Sequence, residues 1–253
     1  MSRILTNKND PLKPRIEPDK VVSFFDERAR RIGTLGPVRA VLYQDNHPEL
    51  AERRDQEERL VLTPLLAVEA STRFLDIGCG TGRWVPSVVD TCAHYHGIDL
   101  SPGLIEFARS SYARHSNCQF SVCSARDLSL ASLHETLPFD RILCAGLLIY
   151  LNDEDVYQTL QRIADVSSSR CRLVLREPMA VADRLTLKDH FSEELNQTYN
   201  SIYRSEAEIL QLAEGTLVQS GFRMLRSADL FPDPTLNNRQ ETRQRWMLWE
   251  RQA

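Results

Sequence analysis

The run Phe74-Leu75-Asp76-Ile77-Gly78-Cys79-Gly80-Thr81-Gly82-Arg83-Trp84 places three glycines at alternate positions directly after an apolar, strand-forming stretch. Glycine lets a backbone adopt φ > 0 and approach a ligand with no Cβ in the way, and the helix start that follows offers unpaired N–H groups and a positive dipole end. Such a turn builds a nucleotide-cofactor loop. The dinucleotide fingerprint is G-x-G-x-x-G, whereas the spacing here is G-x-G-x-G, with an acid, Asp76, just upstream. A carboxylate so close repels pyrophosphate, so the loop favours a ligand with a positive or neutral end.

A helix's length further on, His96-Gly97-Ile98-Asp99-Leu100-Ser101 reads as a second short strand ending in an acid. An acid about 20 residues beyond the glycines is what ribose hydroxyls require in a βαβ unit. A third segment, Phe139-Asp140-Arg141-Ile142-Leu143-Cys144-Ala145-Gly146, again ends an apolar run in a glycine.

With LDIGCGTG, GIDLS and 139–146 in this order and spacing, the chain resembles the class I S-adenosylmethionine-dependent methyltransferases over roughly residues 60–250. The resemblance implies an α/β fold, a Rossmann-like doubly wound sheet of seven strands, mostly parallel with the last antiparallel, and an N-terminal helical lid. Residues 1–66 are then tail and lid. Residues 67–253 are the cofactor-binding domain, with a substrate-cover insertion at about 177–204. The implied cofactor is S-adenosyl-L-methionine. Its aminoacyl part falls to the loop of Asp76, Gly78, Cys79, Gly80, Gly82 and Arg83, and its ribose to Asp99, with Leu100 beside it. After the third strand the family most often has Asp where this chain has Ser124. The main chain of Ala125 and Arg126 is therefore expected to read adenine, with Ser124 or Asp127 as side-chain contact; Asp127 reads equally well as a solvated helix cap. Ala145, ending the fourth strand, completes the cofactor set.

The likeliest competing classes are bounded by composition. At 253 residues, 42% hydrophobic and 26% charged, the chain has room for one sizeable α/β core. A net charge of −4 provides no global reason to bind nucleic acid or an anionic membrane. No apolar run approaches the roughly 18 residues of a spanning helix. The opening residues, with Lys8, Asp10, Pro11 and Pro14, lack a signal-peptide core, so a cytoplasmic protein is expected. The cysteines at 79, 92, 118, 123, 144 and 171 form no C-x-x-C pair and read as buried thiols. His94 and His96 share a strand face with no acid or third His nearby in sequence, so no metal is expected.

Residues 1–18 are polar and proline-rich and are expected to be loosely draped. Asp19 is expected to cap a helix over 20–32, and a second helix runs over about 48–66. The charge run Glu49–Arg59 in that second helix reads as a solvated face. Helices ahead of the first strand fold over the cofactor in similar methyltransferases, which makes Phe24, Phe25, Arg28, Tyr43 and Arg54 candidate substrate contacts. Strands are predicted at 73–77, 94–98, 118–122, 139–144, 171–176, 221–226 and 245–250, and helices near 83–91, 102–114, 153–167 and 205–219.

Ligands in such sheets bind beyond the carboxyl ends of the strands. The fourth-strand loop carries Tyr150, whose phenol, with an ordinary pKa near 10, is better suited to positioning than to proton removal. The same loop lacks the Asn/Asp-Pro-Pro-aromatic signature associated with amino-group methylation of nucleobases or glutamine. The stretch 177–204 is expected to be irregular, with Tyr199 and Tyr203 on one helical face. Together with Arg176 and Arg204 they suggest a polar, aromatic-walled pocket for a carboxylate or other oxygenated small molecule. His190 is the candidate general base.

These readings point to methyl transfer onto an oxygen or nitrogen of a small polar metabolite, with no nucleic-acid or membrane partner, by a monomer or homodimer in secondary metabolism. Two alternatives remain open. In one, S-adenosylmethionine is itself the substrate, cyclised or eliminated with release of methylthioadenosine. In the other, the chain is a non-catalytic binding protein.

Overall fold

A computed structural model describes residues 3–7, 10, 13–237 and 239–252. Four helices lead into the main sheet: α1 (Pro18–Arg30), α2 (Ile32–Leu35), α3 (Pro37–Leu42) and α4 (Pro48–Leu66). Ahead of them lies a short strand, β1 (Arg3–Thr6). There follow β2 (Arg73–Ile77), α5 (Val85–Val88), β3 (His94–Asp99), α6 (Pro102–Ser111), β4 (Cys118–Val122), β5 (Phe139–Ala145) and α7 (Asp153–Val166). The chain ends in β6 (Ser167–Ala180), β7 (Arg184–Ser192), β8 (Gln197–Tyr203), α8 (Glu206–Ala213), β9 (Phe222–Asp229) and β10 (Thr242–Arg251).

Seven strands form one sheet in the order β4-β3-β2-β5-β6-β10-β9, parallel except for β10, which runs antiparallel to both neighbours. This is the expected Rossmann-like arrangement, mixed α/β with helices on both faces. Its central strands alternate between two cores, as a period of two residues demands. Leu173 and Leu175 pack with Val156, Leu160 and Ile163 of α7, while Val174 between them faces Leu62 and Leu66 of α4. Chain order reverses between β2 and its two neighbours, β3 and β5, and opens a crevice at their carboxyl ends.

Several local expectations are corrected. The opening segment is not loosely draped where it is described: Arg3–Thr6 pairs antiparallel with Leu187–Arg184 of β7. Ile16 is buried and exchanges backbone hydrogen bonds with the Asn152 side chain at 3.1 Å. Lys8 and Pro11 lie outside the described residues. α1 starts at Pro18, whose missing N–H costs nothing in a first turn, so Asp19 sits inside the helix and not at its cap. The stretch 177–204 is not irregular. β6 continues through Ala180, and β7 and β8 form an antiparallel pair with β1 on its edge. Tyr199 and Tyr203 therefore share a strand face, which spacings of two and four residues satisfy equally well. The helix expected over 83–91 shrinks to α5, and the one over 205–219 gives way after Ala213 to a π-helical turn, Glu214–Val218.

The charge run of α4 is the largest surprise. Ala51, Arg54, Asp55, Glu58 and Leu62 recur at helical spacing and are buried, so charged residues make up the inward face. Glu58 accepts from Arg176 Nε at 2.7 Å and Nη2 at 2.5 Å, and from Arg83 at 3.1 Å. Arg83 also donates to Asp55 at 2.7 Å. These bonds tie the helix to the end of β6 and to the glycine turn. Burial on its own would raise the Glu58 carboxyl, but Arg176 and Arg83 hold it down at about 2. Its folded value lies below its unfolded one, so the stability it confers is present above the ordinary carboxylate range and is lost as pH falls toward 2. Glu58→Ala, which strands the buried Arg176 guanidinium and leaves Arg83 with Asp55 alone, should lower the unfolding free energy by roughly 3–5 kcal/mol in urea titrations at pH 7. The deficit should shrink on acidification.

Candidate active site

The crevice is built from four strand ends and a roof. The glycine turn after β2 is pinned by Gly78 N and Cys79 N, both donating to Ile98 O at 2.8 and 2.9 Å. Gly80 has φ +54°, and a Cβ there would stand 2.7 Å from Cγ1 of Val41 in the roof, so the position requires glycine. Asp99 at the end of β3 accepts from Gly80 N at 3.0 Å and Ser101 N at 2.9 Å. Asp76 is buried one strand away and accepts the Tyr95 hydroxyl at 2.7 Å. Burial raises the Asp76 carboxyl to about 7, with the Tyr95 bond and Arg83 pulling it partly back, and burial raises Asp99 as well.

One cavity runs over these residues, walled by Cys123–Arg126 after β4 and by Ala145–Leu147 after β5. Its roof is α1, through Val21, Val22 and Phe25, together with Val41–Tyr43. Ser101 Oγ bonds Asp26 of α1 at 3.1 Å, and Thr81 Oγ1 bonds Pro37 O at 3.1 Å, so the roof is tied down at two points. The side chains fit a sulfonium nucleoside: two carboxyls near bare backbone for an ammonium and a diol, and apolar walls for a flat ring.

A second cavity of about 430 Å³ adjoins the first and shares Val41–Tyr43, Ala145, Gly146 and Tyr150 with it. Arg54, Glu58, Arg176, Tyr199, Tyr203 and Arg239 line its far side. The hydroxyls of Tyr43 and Tyr150 meet at the neck, and a chain continues from Tyr150 to Tyr199 at 3.1 Å and on to Tyr203 at 3.4 Å. Arg239 donates to Tyr203 at 2.9 Å. Burial holds the phenols of Tyr43, Tyr150 and Tyr199 above their usual range, so near neutrality they stay protonated and act as hydrogen-bonding posts. Tyr43 has φ 68° and Gln44 φ 65°, left-handed values for bulky side chains. Strain of this kind is stored where surrounding structure over-determines the backbone.

Tyr150 rides on a single 3₁₀ turn whose amides are gathered by Glu177. That buried carboxylate accepts from Leu147 N at 2.9 Å, Leu148 N at 3.0 Å and Ile149 N at 3.4 Å. Burial pushes Glu177 up to about 7 against the pull of those amides and of Arg176. Sequence reading missed Glu177, Glu58 and Arg239. Only Glu58 left a usable signal, the inward helical period it shares with Ala51, Arg54 and Leu62.

Asp76, Gly78, Cys79, Gly80, Arg83, Asp99, Leu100, Ser124, Ala125, Arg126 and Ala145 all line the first cavity, and Tyr43, Arg54, Tyr150, Arg176, Tyr199 and Tyr203 the second. Other candidates stand back. Phe24 is buried among Phe25, Tyr43 and Tyr199 rings. Arg28 is fully buried as a clasp on Asp45, at 2.6 and 2.8 Å, and on the Ala40 carbonyl. Arg204 is spent on Asp153 and on the Leu148 and Leu151 carbonyls. Gly82 serves the turn, where a Cβ would meet Tyr112 at 2.7 Å. His190 on β7 and the exposed Asp127 line neither cavity. The expectation of no acid near His94 and His96 is overturned: Glu135 accepts from or shares a proton with both, at 2.6 and 2.7 Å, and also pairs with Arg73.

A family profile described as a methyltransferase domain matches residues 74–169. That stretch carries a methyltransferase domain, and S-adenosylmethionine is the cofactor such a domain implies. Phosphoethanolamine N-methyltransferase 1 of Zea mays is 24% identical over 141 residues, 56% of this chain and 26% of that protein. Among solved structures, Haemonchus contortus phosphoethanolamine N-methyltransferase 1 with phosphoethanolamine and S-adenosylhomocysteine aligns with a TM-score of 0.71 and 17% identity. It covers 93% of this chain and 49% of its own. The [4+2]-cyclase SpnF aligns with a TM-score of 0.67 and 15% identity over 96% of this chain and 98% of its own. The chain spans under half the length of the curated relatives it matches. Among the described residues no helix is long and apolar enough to cross a membrane.

For a class I fold the electrostatics of Asp76 yield a signed expectation. With a carboxyl near 7, the free protein carries a proton there at mildly acidic pH, and an ammonium seated beside it favours the carboxylate. Binding of S-adenosylhomocysteine should therefore release a proton below pH 7 and tighten as pH rises through about 7. Calorimetry in buffers of different ionisation enthalpy measures both. Asp76→Asn should abolish the proton release.

Proposed function

We propose that this chain transfers the methyl group of S-adenosylmethionine to an oxygen or nitrogen of a small polar molecule. The first cavity is the donor site, the second the acceptor site, and residues 1–66 serve as their lid. The observation that carries this reading is the shared neck: the first cavity meets a larger polar chamber along Val41–Tyr43, Ala145, Gly146 and Tyr150. A reaction confined to the cofactor would have no use for that chamber.

S-Adenosylmethionine supplies a sulfonium methyl, already a strong electrophile. The chain's own residues then have geometric tasks. Asp76 and the glycine turn hold the aminoacyl end, Asp99 the ribose diol, and the Ala125–Arg126 backbone the adenine edge. Tyr43 and Tyr150 orient the acceptor atom at the neck. Such alignment can provide most of the acceleration of an in-line displacement, and the roof from α1 excludes water from it. The buried phenols remain neutral, so an acceptor that must lose a proton hands it to another base or reacts already deprotonated.

Incubation with labelled S-adenosylmethionine tests the reading directly. Alone, the protein should release little thioether; with an acceptor from a panel of small amines, alcohols and acids that includes phosphoethanolamine, it should yield S-adenosylhomocysteine. Methylthioadenosine formed without acceptor would instead select the cofactor-consuming alternative. Tyr150→Phe should lower kcat about 10- to 100-fold with little change in cofactor affinity, as loss of a positioning hydrogen bond at the reacting centre does.

A further inference from the structure

One cation in the acceptor chamber has no hydrogen-bond or ion-pair partner among the described residues. Arg54, on the inward face of α4, is only 7% exposed, and its Nε is buried without a hydrogen bond. Among the described residues its guanidinium makes no ion pair. The carboxylates of its own helix face are already engaged: Asp55 by Arg59 at 2.8 Å and Arg83 at 2.7 Å, Glu58 by Arg83 and Arg176. From the opposite wall Arg239 donates only to the Tyr203 hydroxyl and lies over that ring at 5.4 Å. Two acids bear on the pair electrostatically: Glu194, which lines the same chamber and favours the Arg54 cation without bonding it, and Glu241 near Arg239. Glu194 holds Asn46 through its backbone amide at 2.9 Å and its side chain at 3.2 Å, and Glu241 pairs with Arg3 at 2.6 Å.

A guanidinium whose Nε is buried with no acceptor weakens the folded state, and an anion bound in the chamber would offset that cost. Burial and the nearby Arg176 lower Arg54 to about 10, as expected for a cation lacking its anion. Arg54 and Arg239 line the acceptor chamber but not the donor cavity, and a row of hydroxyls, Tyr203, Tyr199 and Tyr150, separates Arg239 from the neck. We propose that Arg54 and Arg239 together seat an oxyanion of the acceptor, a carboxylate or a phosphate monoester, at the end of the molecule remote from the atom that is methylated. Calling that molecule the acceptor rests on the methyl-transfer reading; the binding of an oxyanion there does not.

The test is equilibrium binding to the whole chain, with and without saturating S-adenosylhomocysteine. Inorganic phosphate and acetate are titrated by calorimetry at constant ionic strength, with chloride as the control. At least one of the two oxyanions should bind, and which one does so distinguishes a phosphate from a carboxylate substrate. Arg54→Met and Arg239→Met should each weaken it at least tenfold while S-adenosylhomocysteine affinity stays within twofold, and Arg54→Lys should recover part of the loss. Thermal unfolding separates binding from a structural role: without ligand, Arg54→Met should hold or raise Tm, because it removes a buried charge that bonds nothing. The proposal is overturned if neither oxyanion binds, if Arg54→Met leaves binding intact, or if that variant loses several degrees of Tm. Failure of S-adenosylhomocysteine to bind would sink the donor-site reading and leave the oxyanion titration readable.

Discussion

The Glu58 carboxylate, buried between Arg83 and Arg176, is the constraint on which the rest of the site depends. The three residues come from three separate segments: Glu58 from a helix ahead of the sheet, Arg83 from the turn after β2 and Arg176 from near the end of β6. Each ion is costly to bury alone, and only the assembled fold brings all of them together. One lattice of charge therefore sets the height of α4 above the sheet, and with it the shape of both cavities. It also engages Asp55 and Glu58, the acids on the helix face of Arg54.

The roof follows from that placement. α1 is clasped from beneath by Arg28, which binds Asp45 and the carbonyls of Arg39 and Ala40, and is tied to the sheet's loops through Asp26 and Ser101. The link between α3 and α4 must then pass over the neck in a tight left-handed path, and Tyr43 and Gln44 carry its strained angles. The small sheet of β1, β7 and β8 closes the other side, with Tyr199 and Tyr203 turned inward beside Tyr150. Glu177 fixes Tyr150 from below. The tyrosine cluster thus assembles from three separate segments, and burial keeps the phenols of Tyr43, Tyr150 and Tyr199 protonated.

The cofactor side was readable in advance because it is local. A strand, three glycines and an acid, then a second strand and a second acid, define a βαβ unit within about 30 residues. Any chain with that order folds it in one hand. The strand positions followed from apolar runs of the right length, and only the ends moved, as with β6, which continues to Ala180 because β10 pairs along its whole length. The acceptor side was legible only in pieces. Tyr150, Tyr199, Tyr203 and Arg54 could be picked out as types, but Arg204 and Arg28 looked equally suitable, and nothing in their neighbours shows that both are consumed by Asp153 and Asp45. Arg239, in a connection before the last strand, carried no signal at all.

Periodicity and glycine placement therefore sufficed for the alternation of strands and helices and for the loop where a nucleoside would lie, since both depend on residues close in the chain, while the seven-stranded doubly wound sheet was implied by the family resemblance those motifs carry. Which charges pair was settled by tertiary contacts, some between segments far apart in the chain, as with Glu58 and Arg176. Charge compensation in a low-dielectric interior is a property of three-dimensional neighbours, and a linear pattern cannot carry it.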